Sequence, residues 1–127
     1  MNREMRTFRL EKLVHDDIVE FNLKIGASVD FEVQQGDIKV ESLVNKLDEE
    51  TLELFSAETD SERSKEVEDI RSVLYAIRKA LGYKHVDPDY VPTKTFDKGH
   101  YVRTVTVPPG EWTEYYASQP ERFPEVM

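Results

Sequence analysis

Two acidic pairs set at helical spacing are the residues here best suited to chemistry. The chain reads Lys46-Leu47-Asp48-Glu49-Glu50-Thr51-Leu52-Glu53, then twelve residues, then Glu66-Val67-Glu68-Asp69. Glu50 with Glu53, and Glu66 with Asp69, are i, i+3 pairs, so each pair lies on one face of its helix. Two such pairs facing each other can hold metal ions. Eleven of the 29 residues from Glu41 to Asp69 are Asp or Glu and three are Lys or Arg, so the acidity of a chain with net charge −9 is concentrated here.

Position within the apolar seams separates these carboxylates from an ordinary solvated face. Leu43, Leu47, Leu54 and Ala57 keep a 4-3-4-3 rhythm only if Glu50 is counted among them. Glu66, Ile70, Val73 and Ile77 form a similar row on the next helix, with Asp69 beside it. Two inward carboxylates about 5 Å apart repel by roughly 3 kcal/mol at an effective dielectric near 20, so they require cations or protons. Asp48, Glu49 and Glu68 fall off the seam, where solvation or a supporting role accounts for them.

Composition narrows the ligand. The chain has no cysteine, which leaves oxygen ligands and three histidines and favours hard cations. Its negative charge argues against nucleic-acid or anionic-membrane partners, while a small phosphorylated ligand bridged by metal remains compatible. There is no apolar run of membrane-spanning length, and Met1 to Arg9 lacks the apolar core of a secretory signal. A cytoplasmic protein folded as one domain over 1–127 is expected.

The elements that must position the acids follow from periodicity. Val14, Ile18, Phe21 and Ile25 predict a helix within Phe8 to Gly26, with Asp16 and Asp17 in its first turn. Val29 to Gln34 alternates as a strand, and Tyr101 to Val107 is its natural partner. Helices are predicted from about Ile38 to Ala57 and from about Asp60 to Gly82, the second opened by a Thr59-x-x-Glu62 capping box. Their short connection implies an antiparallel hairpin, and the two acidic pairs lie at matching distances from it. Tyr83 to Thr95 reads as loop, Glu111 to Gln119 as a short helix, and the tail past Pro120 as irregular. His85 and His100 read as loop-surface residues, and Phe96, Tyr101 and Trp112 as core aromatics with base stacking as the alternative. The fold class expected is mainly α, an antiparallel helical bundle with a small two-stranded β element.

Three stretches in this order carry a family resemblance: Lys12-Leu13-Val14-His15-Asp16-Asp17-Ile18-Val19, the EExxE…ExxD pairs, and Lys98-Gly99-His100-Tyr101 before a strand. The chain resembles the all-α nucleoside triphosphate pyrophosphatase superfamily, in particular its small MazG-like and phosphoribosyl-ATP pyrophosphohydrolase-like members. The resemblance implies that Glu50, Glu53, Glu66 and Asp69 ligate Mg²⁺, with Mn²⁺ as a substitute, and that a nucleoside triphosphate is cleaved between its α and β phosphates. It implies Glu49 or Glu53 as the proton acceptor and Lys12, His15, Lys98 and Arg103 as phosphate contacts, with Lys94 also a candidate but better read as a surface cation. It also implies a homodimer. His15 stands where the family stretch usually has Arg, Asp17 where a basic residue is common, Val19 in place of Pro, and His100 in place of the second Gly. Two alternatives are a non-catalytic acidic helical interaction module on the same fold and a phosphoribosyl-ATP pyrophosphohydrolase.

Overall fold

A computed structural model describes residues 4–84 and 87–127. Its elements in order are β1 (Arg6–Leu13), α1 (Ile18–Lys24), β2 (Ser28–Val33), α2 (Gly36–Ser56), α3 (Asp60–Ala80), β3 (His100–Val107), α4 (Glu111–Ala117) and β4 (Glu125–Val126). The strands form one antiparallel sheet in the order β2-β3-β1-β4. The architecture is therefore mixed α/β, which corrects the expectation of a mainly α bundle with two strands.

The error lies in the first 26 residues. Phe8 and Leu10 are buried at period two, which is strand spacing, and β3 as a Val/Thr-rich central strand needs a neighbour on each edge. β1 supplies the second neighbour. The row from Val14 to Ile25 is split between a turn and the seven-residue α1, which starts only at Ile18. Asp17 is the N-cap residue but makes no capping bond through its side chain. Asp16 is not a first-turn acid either. Its carboxylate accepts from Thr95 Oγ1 at 2.6 Å, Asp97 N at 3.1 Å and Lys98 N at 2.8 Å, so it ties the start of the chain to the loop before β3. The expected pairing of β2 with β3 is present, and the tail adds β4 on the outer edge of β1.

Two core clusters result. Phe8 and Val105, partners across β1 and β3, sit with Val107, Val19, Tyr116 and Phe123 under α1 and α4. Leu13 and Tyr101, also partners, join Leu43, Val73 and Phe96 where the sheet meets the α2–α3 hairpin. A bulge in β1 between Arg9 and Lys12, with Glu11 at φ 51°, lies between the two. In the hairpin turn Thr59 Oγ1 accepts from Glu62 N at 3.1 Å, while Glu62 reaches back to Glu58 N rather than to that of Thr59. Gly82, at φ +77°, ends α3: Tyr83 N donates to Arg78 O and Gly82 N to Lys79 O.

Phe96 is core, and His100 packs edge-on against Phe31. His85 lies outside the described residues. Among the described residues no helix is long and apolar enough to cross a membrane.

Asp16→Ala removes three hydrogen bonds to a charged acceptor, so a loss of about 2–4 kcal/mol is expected in denaturant melts. A loss below about 0.5 kcal/mol would show that the loop is held elsewhere.

Candidate functional site

Leu43 and Leu47 of α2 interlock with Val73, Ala76 and Ile77 of α3, and the same seam carries Glu50 inward one turn later. Glu50, Glu53 and Glu66 each present a carboxylate oxygen, and all three oxygens lie within 4.8 Å of one another. Glu50 is 5% exposed. Glu50 Oε2 and Glu66 Oε2 are buried without a hydrogen-bond partner. Glu53 Oε1 has Arg122 Nη2 at 2.7 Å as an ion pair but lacks hydrogen-bond alignment. Oxygen donors left unsatisfied at one point are what a hard divalent cation would satisfy, so this set fits Mg²⁺ or Mn²⁺.

The proton is the other way to relieve the crowding. Burial first, then the closeness of the Glu66 carboxyl and the charges of Glu53 and Asp69, push the Glu50 carboxyl up to about 8, against the opposing pull of Lys46. Burial also raises Glu53, aided by Glu66 and Glu49 and opposed by Arg122. Asp69 is buried in the same cleft, outside the three-oxygen cluster, with Lys94 Nζ on its Oδ1 at 3.1 Å.

Glu49 is turned towards cations. Lys12 lies at 2.7 Å, Arg122 at 3.2 Å and Lys46 at 3.8 Å from its Oε1. Burial alone would raise its carboxyl, but Lys46, Lys12 and Arg122 together outweigh burial and hold it low. Glu53 is accordingly the better proton acceptor of the two. Asp48 is exposed, and Glu68 pairs with Arg71 at 3.3 Å.

A cleft of about 380 Å³ opens onto the cluster. Of the expected phosphate contacts it contains Lys12 and His15. Burial lowers both, Lys12 despite Glu49 and His15 with the help of Lys94. Lys98 and Arg103 lie elsewhere. Lys98 is exposed and gives its backbone N–H to Asp16, while Arg103 pairs with Asp30 at 3.3 Å and Glu32 at 3.0 Å on the sheet. The cleft holds instead Lys46, Lys65, Lys94 and Arg122. Lys46 stands four residues before Glu50 and Lys65 directly before Glu66, a signal the sequence does carry. Lys94 is brought in by Ser72, fully buried on α3, whose Oγ accepts from Lys94 N at 3.2 Å and bonds Thr93 Oγ1 at 3.0 Å. Arg122 arrives from the segment between α4 and β4, and no local pattern marks it. The cleft is also lined by five aromatic residues, Phe21, Trp112, Tyr115, Tyr116 and Phe123.

Glu50 links the site to pH. Its carboxyl titrates at 4.5 ordinarily and near 8 in the fold, so the stability it contributes is full below 4.5 and is lost as pH rises through 8. Without divalent cation, melting temperature is expected to fall across that window, and Glu50→Gln to flatten the fall. At pH 8, Mg²⁺ at 100 times its Kd should restore about 2.7 kcal/mol. An equal slope in Glu50→Gln would assign the titration to another group.

No family model, no curated protein and no solved structure matches the chain, so its functional reading stands on the cleft's residues and on the motif resemblance.

Proposed function

We propose that the chain is a Mg²⁺-dependent nucleotide pyrophosphohydrolase that cleaves a nucleoside triphosphate between its α and β phosphates, releasing nucleoside monophosphate and pyrophosphate. The observation that carries this reading is the meeting of Glu50, Glu53 and Glu66 within 4.8 Å, with buried oxygens unsatisfied, in a cleft that is also lined by six basic side chains. A triphosphate is the ligand class that needs both walls at once. Its anionic oxygens suit the basic residues, and the carboxylates would bind cations shared with the phosphates. The exposed Leu52, Phe55 and Val67 of the hairpin support association with a second copy, and a solution mass near 14.8 kDa by light scattering would remove that part of the proposal.

Mg²⁺, when bound, supplies an acidified water and neutralises charge developing on the phosphates. Glu50, Glu53 and Glu66 would hold it. Lys12, Lys46, Lys94 and Arg122 would bind phosphate oxygens and orient the chain of phosphates for attack along one line. Water oxygen bonds to the α phosphorus, the bond from that phosphorus to the bridging oxygen breaks, and pyrophosphate leaves with the electron pair. Glu53, raised by burial, accepts the water's proton.

A specific observation favours one rival. Arg122 and Lys94 already sit on Glu53 and Asp69, which is how a non-catalytic interaction module would balance the same acids. Pyrophosphate release from a panel of ribo- and deoxyribonucleoside triphosphates, with Mg²⁺ and with chelator, separates the two. Metal-dependent release is expected, reduced about 100-fold or more by Glu53→Gln with the melting curve intact. Full activity in Glu53→Gln would remove the site assignment. No release from any nucleotide by a folded, cation-binding protein would favour the module.

A further inference from the structure

Apart from Phe123, whose ring lies under Lys12 and Arg122, the aromatic residues of the cleft are not needed by the carboxylates or by the phosphate contacts, yet five rings run in one connected series. Phe21 meets Trp112 at 5.0 Å and 77°, Trp112 meets Tyr115 at 5.5 Å and 69°, Tyr115 meets Tyr116 at 5.3 Å and 75°, and Tyr116 meets Phe123 at 5.0 Å and 87°. Each contact in that series is edge to face. Tyr116 is stacked on Phe8 at 5.4 Å and 25°, while Phe21 and Tyr115, which meet Trp112 edge-on, remain 39% and 43% exposed. Flat apolar faces open to a cleft are a stacking surface.

Among these rings sits one neutral carboxamide. Asn22 of α1 is 3% exposed, lines the cleft, and donates from Nδ2 to the Ile18 carbonyl at 2.8 Å, a bond that fixes the plane of its amide. Beside it the rings offer the indole N–H of Trp112 and the hydroxyls of Tyr115 and Tyr116. Lys12 and Arg122 lie over the Phe123 ring at 4.9 and 4.8 Å, so the cations meet the ring series at its Phe123 end, and Phe21 and Trp112 form the other end. A carboxamide offers a donor and an acceptor side by side, the pairing that a base edge also presents.

We propose that this end is a nucleobase subsite, in which the base of the nucleotide stacks on the faces of Phe21, Trp112 and Tyr115 and its edge is read by Asn22. The proposal rests on the phosphohydrolase reading for the nucleotide's identity and deepens it from a phosphate-gripping site to one selective among bases. Charge complementarity fixes the occupant's orientation, since the basic and acidic side chains at the other end require the phosphates there.

The chain's single tryptophan, Trp112, reports on the subsite directly. Its emission is followed while AMP, GMP, CMP, UMP and ribose 5-phosphate are titrated in chelator, so the readout does not depend on hydrolysis. Saturable quenching by the nucleoside monophosphates is expected, with the bases separated by about tenfold or more in Kd and ribose 5-phosphate without effect. Phe21→Ala should weaken all bases by about tenfold, and Asn22→Ser should bring the bases to within about threefold of one another while quenching persists. Thermal melts of both variants show that they fold, and the wild-type titration stands alone if either does not. Quenching by ribose 5-phosphate equal to that by the nucleotides, or no quenching by any of them, overturns the subsite. Base-selective quenching in a protein that releases no pyrophosphate would keep the subsite and remove the hydrolase reading, whereas hydrolysis without base discrimination would do the reverse.

Discussion

Like charges held together at the α2–α3 seam are the constraint around which the rest of the molecule is arranged. Three carboxylate oxygens within 4.8 Å repel pairwise by roughly 3 kcal/mol at an effective dielectric near 20, and within the hairpin Lys46 opposes that at Glu50. Leu43 and Val73, fully buried two turns from Glu50 and Glu66, keep the helices close and deny the acids an escape into solvent. The repulsion raises the Glu50 carboxyl, burial being the larger cause, and cations gather on these and the neighbouring acids from four places: Lys46 of α2 on Glu50, Lys12 of β1 on Glu49, Lys94 of the loop before β3 on Asp69, and Arg122 of the C-terminal segment on Glu53. The hairpin depends on the sheet and tail for charge as much as for apolar cover.

The sheet delivers those charges through ordinary devices. The β1 bulge sets Lys12 at 4.9 Å over the Phe123 ring with its Nζ on Glu49, so a partly buried lysine is accommodated by an aromatic face and an ion pair. Asp16 and Ser72 fix the two flanks of the Lys94 loop, one from the start of the chain and one from α3. Gly99 closes that loop at φ +65°, where any Cβ would strike the Gln34 carbonyl. Each contact is unremarkable in strength, but all converge on the orientation of cations towards one cleft.

What was legible in the sequence was the local part. The seam position of Glu50 and the equal distances of the acidic pairs from the turn follow from helical period and loop length, and they place Glu50, Glu53 and Glu66 together. β2 and β3 announce themselves by alternation. β1 was hidden because Val14, Ile18, Phe21 and Ile25 offer a plausible helical row, and the competing strand signal of Phe8 and Leu10 gains its weight only from pairing with β3 some 90 residues later. Lys94 and Arg122 were out of reach for the same reason: Arg122 meets Glu49 across 73 positions, and no period or motif encodes so distant a partner. Lys98 and Arg103 misled because sequence proximity to a family-like turn says nothing of which side of the strand faces the acids.

The way the acids are neutralised bears on function more than their number does. A fixed counterion would suit a structural ion-pair cluster, and Lys12 with Glu49, both largely covered, has that character. Arg122 and Lys94 differ, since each keeps about a third or more of its side chain exposed; Arg122 sits on Glu53 Oε1, within the three-oxygen cluster, and Lys94 on Asp69 beside it. Long side chains of this kind exchange partners at little cost, because the lost ion pair is replaced by a phosphate oxygen within reach. On the proposed reading, arrival of cation and triphosphate therefore substitutes one set of charge pairs for another without uncovering a bare carboxylate. Lys46 and Lys12, largely covered on Glu50 and Glu49, would resist that substitution, so the exchange falls to Arg122 and Lys94, and their freedom to move is the physical ground on which the catalytic reading is preferred to the module.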